Sequence, residues 1–154
     1  MPGGLRQSIQ NIEFWGPQTL FRPSQVYSSV TGAYTLFRIS GGAVLLLGLY
    51  GRHTAVAGGA TTVTGTVDGI ATDSGAADIG TSGGTVGRVV WIPLNVGQAP
   101  LPAAAIPLTV ATSTKMLAGT AVGTIVLTFA VSTVTMEWTL IWQRLAIDSL
   151  VVVA

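Results

Sequence analysis

The chain has 154 residues, with seven Lys or Arg against six Asp or Glu, one histidine and no cysteine. Charged residues make up 8 % and the net charge is +1, so nucleic acid and anionic membranes feel little long-range pull. Without cysteine there is neither a disulfide framework nor a thiolate metal site.

The apolar fraction, 49 %, is ordinary, while charge falls well short of the roughly 25 % of a typical soluble domain. Gly, Thr, Ser and Ala fill the gap. Disorder needs low hydrophobicity and high net charge, so this composition points to a β-rich protein whose surface is covered by Thr and Ser or by neighbouring subunits. The near-zero charge leaves contact between copies unopposed. The length suits one domain with an arm to spare. The first residues, MPGGLR, lead into a polar segment with no apolar signal core, and synthesis in the cytoplasm is expected.

Residues 1–33 read as an extended N-terminal arm. No period is sustained there, and Gly16-Pro17 and Arg22-Pro23 interrupt it. Phe14, Trp15, Phe21 and Tyr27 nevertheless need a place to bury, on their own domain or across a neighbour, and are the candidate partner contacts of the arm.

Residues 34–154 then read as one β-domain. Tyr34 to Val56 gives two strands joined by Ser40-Gly41-Gly42, a glycine turn expected to close a hairpin. The run Ala43 to Tyr50 is too short for a typical helix and normal for a buried strand. A Thr/Val-rich strand follows over 60–67. Residues 68–87 are dense in Gly, Asp and Ser and form the longest loop signal. Arg88 to Ile92 reads as a strand that Pro93 ends. Residues 98–107 hold three of the seven prolines and read as an extended linker, followed by a short strand at Leu108 to Thr112.

Between Lys115 and Glu137 lie 21 uncharged residues, long enough to cross a bilayer. The segment is rich in Thr, and its second half alternates at period 2, so strands are expected instead of a membrane helix. Ile125, Leu127, Phe129 and Val131 share one face. After Ser132-Thr133 the parity changes, and Val134, Met136, Trp138, Leu140 and Trp142 share a face. That change of phase demands a turn or bulge, giving strands at 122–130 and 134–144. Leu150 to Val153 is a last short strand, which unpaired would be an aggregation hazard. About eight short strands and no convincing helix make an all-β fold, a β-sandwich or jelly roll, with a small barrel the other arrangement of such a pattern.

Reactive groups are sparse. His53 stands beside Arg52 at a strand end and reads as a surface or interface residue, since a general base needs partners. Gly80-Thr81-Ser82-Gly83-Gly84 has the form G-x-S-x-G, but its flanks are loop-like and the one histidine lies upstream. Asp68, Asp73 and Asp78 recur every five residues without the spacing of a calcium loop. No P-loop, dinucleotide fingerprint or His/Cys cluster occurs, and the basic residues form no stripe. No enzyme activity, catalytic residue, cofactor or metal is expected. Trp138 and Trp142, four apart on one strand face with Val134, Met136 and Leu140, belong to the core or to a subunit seam.

The ordered set LFRISGGAVLLLGLYGRHT at 36–54, a Gly/Asp/Ala loop, a Pro-rich link, GTIVLTFAVSTVTMEWTLIWQRL at 123–145 and a Val-rich end resembles small structural proteins of tailed bacteriophages, of the head decoration (capsid cement) type. Those carry a similar glycine turn early and a similar W-T-L-x-W/Y strand late. The resemblance spans roughly 34–154. It implies a sandwich or jelly roll on the outside of the virion, bound to the major capsid protein, with homotrimers around symmetry axes. Tail, neck or fibre proteins, with a receptor- or glycan-binding role, are the alternative of similar composition.

Overall fold

In the computed structural model the described residues are 16–67, 70–71, 77–79, 86–92, 101–102, 116–118 and 122–154. They form strands β1 (Gln18–Tyr27), β2 (Ala33–Ser40), β3 (Val44–His53), β4 (Thr62–Val67), β5 (Ile70–Ala71), β6 (Ala77–Asp78), β7 (Val89–Ile92), β8 (Leu101–Pro102), β9 (Met116–Ala118), β10 (Val122–Ala130), β11 (Val134–Arg144) and β12 (Leu150–Val153). Eight of them (β1 to β4, β7 and β10 to β12) run four residues or more. Every pairing is antiparallel. The first sheet runs β1-β11-β3-β7-β8, with β9 also on β3; the second runs β12-β2-β10-β4-β5, with β6 also on β4. The fold is an all-β sandwich. No helix among the described residues is long and apolar enough to cross a membrane, and 122–130 and 134–144, within and beyond the uncharged stretch, are strands.

The expected hairpin at Tyr34 to Val56 is corrected in one respect. Both strands are present, but β2 and β3 lie in opposite sheets. Gly41 at φ 76° and Gly42 at φ 143° turn the chain across the sandwich instead of back along the same sheet. The phase change at Ser132-Thr133 has the same cause. β10 belongs to the second sheet and β11 to the first, so each must present the opposite parity to a shared core. These two arches interlock: β10 pairs with β2 from Val122↔Ser40 to Thr128↔Ala33, and β11 with β3 from Met136↔His53 to Arg144↔Val44. One arch therefore closes each end of the sandwich. Val131, at φ 82°, carries the second arch in a region that β-branched residues rarely enter.

Between the sheets lie Trp138, Tyr27, Phe37, Phe129, Leu46 and Leu49, all fully buried. Burial of such side chains contributes roughly 1.5–3 kcal/mol each. Tyr27 stacks on Phe129 at 4.8 Å and meets Trp138 edge-on at 6.3 Å. These rings join the two arches to β1.

The arm boundary changes accordingly. Residues 18–27, assigned to an arm from the sequence, are strand β1 of the sandwich, paired along β11. The register shifts between Arg22 and Gln25, at Pro23-Ser24. Arg22 and Tyr27 are five apart and would face opposite ways in a regular strand. The bulge turns both inward, which hides the alternation from a reading of the sequence.

Candidate interaction surface

Of the residues singled out in the sequence, Phe14 and Trp15 lie outside the described residues. Phe21 is 51 % exposed, on the outer face of the first sheet. Tyr27 is not a surface contact of the monomer: it is fully buried in its own core, and Trp138 and Trp142 are buried there too. Of the aromatics assigned to the arm, Phe21 is the described one that faces outward.

Arg22, which the sequence did not mark, is buried at the flank where both sheets end. Its Nη1 donates to Leu36 O at 2.9 Å and to Ala154 O at 2.6 Å, and Nη2 donates to Gln25 Oε1 at 2.8 Å. The guanidinium therefore ties β1, the edge of one sheet, to β2 and the end of β12 in the other. Burial pushes the Tyr27 hydroxyl above its ordinary pKa, and the nearby Arg22 charge offsets part of that.

On the outer face of the first sheet, register aligns Phe21, Thr139, Tyr50 and Trp91 in one row across four strands. The Tyr50 and Trp91 rings are 4.2 Å apart. The indole lies over Gly48, where a Cβ would overlap it. Beside this row is a shallow groove of ≈ 270 Å³ lined by Tyr50, Gly51, Arg52, Val89, Glu137 and Thr139. Arg52 Nε donates to Glu137 Oε1 at 2.6 Å. The Arg52 side chain is 56 % exposed, so the pair contributes at most about 1 kcal/mol.

The second surface is the flank at β12. Leu145 and Ile147 in the turn before it, and Leu150, Val152 and Val153 in it, are all exposed. β12 is paired with β2 on one side, and no described strand meets the other. Edges of this kind template the addition of another strand. Rich in exposed apolar side chains, and with no described strand paired to it beyond the approach of β1 and the Arg22 bond to Ala154 O, this edge is the feature of the surface least expected of a solitary monomer.

His53 is fully buried, contrary to its expected surface position. It sits inside because β3 ends against the return of the chain at 77–79. Its Nε2–H donates to Ile79 O at 3.0 Å, while Ile79 N–H donates to Thr61 O at 2.7 Å. Burial is the main cause that lowers its pKa from the usual 6.5; the Ile79 bond opposes the shift and the Arg88 charge adds to it. The folded state therefore binds its proton less readily than the unfolded chain. Its contribution to stability is complete above pH 6.5 and is lost as pH falls from there through the folded value. Urea midpoints should fall between pH 7.5 and 5, with a slope of at most about 1.4 kcal/mol per pH unit from this one group. In His53→Gln the slope over that window should largely vanish. An equal slope in both proteins would show that another group governs it.

No group of three or more His, Cys, Asp or Glu that could hold a metal ion occurs among the described residues. The side chains of Asp68, Asp73 and Asp78 and the segment 80–84 lie outside what is described.

No family model matches the chain and no curated protein matches it. Among solved structures it is similar to a chain of the infectious bursal disease virus Gx strain, at 17 % identity and a TM-score of 0.33, over 88 % of this chain and 38 % of that one. It is also similar to the infectious bursal disease virus VP2 subviral particle, at 14 % identity and a TM-score of 0.36, over 88 % and 39 %. Both neighbours are proteins of viral particles. The chain spans under two fifths of their length.

Proposed function

We propose that this chain is a non-enzymatic structural protein of a virion: a decoration protein that binds the outer surface of the major capsid shell and stabilises it. The observation that carries the reading is the uncovered apolar flank at β12, with Leu145, Ile147, Leu150, Val152 and Val153 exposed on one side of the sandwich. The resemblance of 34–154 to phage head decoration proteins supports the same reading. Contact would come from burial of this flank between copies. Phe21 and the residues before β1, among them Phe14 and Trp15, would reach the shell. Repetition over a shell turns individually modest contacts into strong retention. Made in the host cytoplasm, the protein would then reside on the capsid surface, with no cofactor, nucleic acid or membrane partner. The resemblance implies a trimer, whose head-to-tail contacts would lie elsewhere on the chain than the β12 flank.

Electron cryomicroscopy of purified particles tests the assignment. Density for the sandwich at regular positions on the shell is the expected result. Density confined to the tail, or particles that lack the chain, would refute it. A second reading, a receptor- or glycan-binding role on a tail appendage, is favoured by the groove at Tyr50, Arg52, Glu137 and Thr139. An aromatic ring beside charged and hydroxyl groups suits a saccharide. Glycan-array binding lost in Tyr50→Ala would move the assignment there.

A further inference from the structure

We infer that β12 is a seam at which two copies of this chain join edge to edge and antiparallel, about a two-fold axis beside Val152. This rests on the assembly reading above and gives it a strand and a register. The hydrogen-bond parity of β12 is fixed by its inner neighbour. Ala154 N–H donates to Leu36 O at 3.0 Å, in step with the pairs Leu150↔Ser40 and Val152↔Arg38. Bonded and non-bonded pairs alternate along an antiparallel ladder. Leu150, Val152 and Ala154 therefore bond inward to β2. The N–H and C=O of Val151 and Val153 point away from the sheet, where no described strand meets them.

Two such edges fit one another. With Val151 opposite Val153 of the second copy, and the reverse, both pairs exchange both of their hydrogen bonds. Val152 then meets its own image across the axis on the outer face. The Ala154 carbonyl, already held by Arg22, is not needed.

Charge favours a second copy as the occupant. The side chains of residues 149–154 carry no charge, so they do not repel their image. Leu150, where β12 begins, would lie about 13 Å from its counterpart, at ~3.3 Å per residue, and Asp148 belongs to the turn before it. Arg38, exposed opposite Val152 on β2, would lie three strand spacings from its own, about 14 Å. Both distances exceed the Debye length of about 8 Å at physiological salt. The other sheet ends on the same flank, at β1, so the seam is two layers deep. A flank of ten residues and two layers covers at least about 330 Å² per copy, at ~3.3 Å per residue and ~10 Å between layers. That is below the ~800 Å² per partner of a standard interface, so the pair should be reversible.

Sedimentation equilibrium of the full chain over a wide concentration range tests this. A monomer–dimer equilibrium is expected. Val153→Pro removes one outward N–H and leaves the inner ladder intact, a substitution that edge strands tolerate. Val152→Lys sets like charges on the axis. Each should weaken dimerisation at least tenfold while circular dichroism and the urea midpoint stay unchanged. As a check that needs no variant, amide exchange at Val151 and Val153 should slow as concentration rises, with Val152 unaffected. A chain that stays monomeric overturns the proposal. So does a trimer indifferent to both substitutions, since three-fold closure needs a head-to-tail contact. A dimer formed by a chain that is absent from particles would leave this proposal standing and remove the virion reading.

Discussion

Replacing Trp138 with alanine should lower stability by about 4 kcal/mol, the middle of the range for a buried aromatic, and so remove much of the ~5–15 kcal/mol that keeps a domain folded. The indole is fully buried at the middle of β11. Tyr27 lies against it from the strand on one side, and Phe129 from the opposite sheet at 6.3 Å. On the other neighbouring strand is Gly51, whose missing side chain makes the room: a Cβ there would come within 2.5 Å of Trp138 Cζ3 and 2.8 Å of Met136 Cε. Gly51 and Trp138 are register partners, so the sequence has matched the smallest residue to the largest. The match predicts a coupling. Gly51→Ala should destabilise the natural protein through overlap with the indole. In a Trp138→Leu background the added methyl should cost little or help. The two changes should therefore fail to add by 1 kcal/mol or more, in the range seen for touching residues. Phenylalanine keeps most of the buried ring, so Trp138→Phe should lose much less than Trp138→Ala. Urea unfolding followed by far-ultraviolet circular dichroism measures the natural protein and all five variants. A loss below about 1.5 kcal/mol for Trp138→Ala would mean that the rings do not form a close-packed core.

The extent of the sheets was legible from alternation, but their connection was not. Strands 122–130, 134–144 and 150–153 follow directly from period-2 patterns and their bounding residues. Gly41-Gly42 marks a turn in the sequence. Two glycines at positive φ, however, serve a crossing between sheets as readily as a hairpin, and only long-range pairing decides between them. The phase change at Ser132-Thr133 held more information than a local turn, because a chain that switches sheets must also switch parity. β1 escaped notice because Pro23 and the adjoining bulge break its alternation. Arg22, a buried cation bonded to backbone carbonyls, has no sequence signature at all. Of the candidate surface, the Leu150–Val153 edge could be seen as a hazard from composition alone. The row from Phe21 to Trp91 could not, since it exists only once four strands are in register. The burial of His53 is hidden from the sequence for the same reason: it depends on the chain returning at Ile79.

Gly41→Ala should cost about 3 kcal/mol or more, from two separable causes. The first is backbone strain. Gly41 sits at φ 76°, where an L side chain costs about 1–2 kcal/mol. The second is overlap with main chain. A Cβ on Gly41 would run into the carbonyl of Asp148, which cannot rotate aside as a side chain would. The turn that holds this carbonyl is itself pinned to the same arch: Ser149 Oγ–H donates to Ala43 O at 2.7 Å, and Leu145 N–H donates to Ala43 O at 3.1 Å. Gly87→Ala isolates the first cause. Its φ is 91°, and nothing lies within 4 Å of the added methyl, so it should lose about 1–2 kcal/mol by strain alone. The excess at Gly41 then measures how firmly the first arch and the β11–β12 turn are locked together. Because that turn delivers β12 to the edge of its sheet, the excess should appear locally as well. Amides of residues 150–154 should exchange faster in Gly41→Ala, and not in Gly87→Ala. Equal losses in the two variants, with β12 undisturbed in both, would show that the turn yields to the arch. The edge would then be positioned by its ladder with β2 and by Arg22 alone.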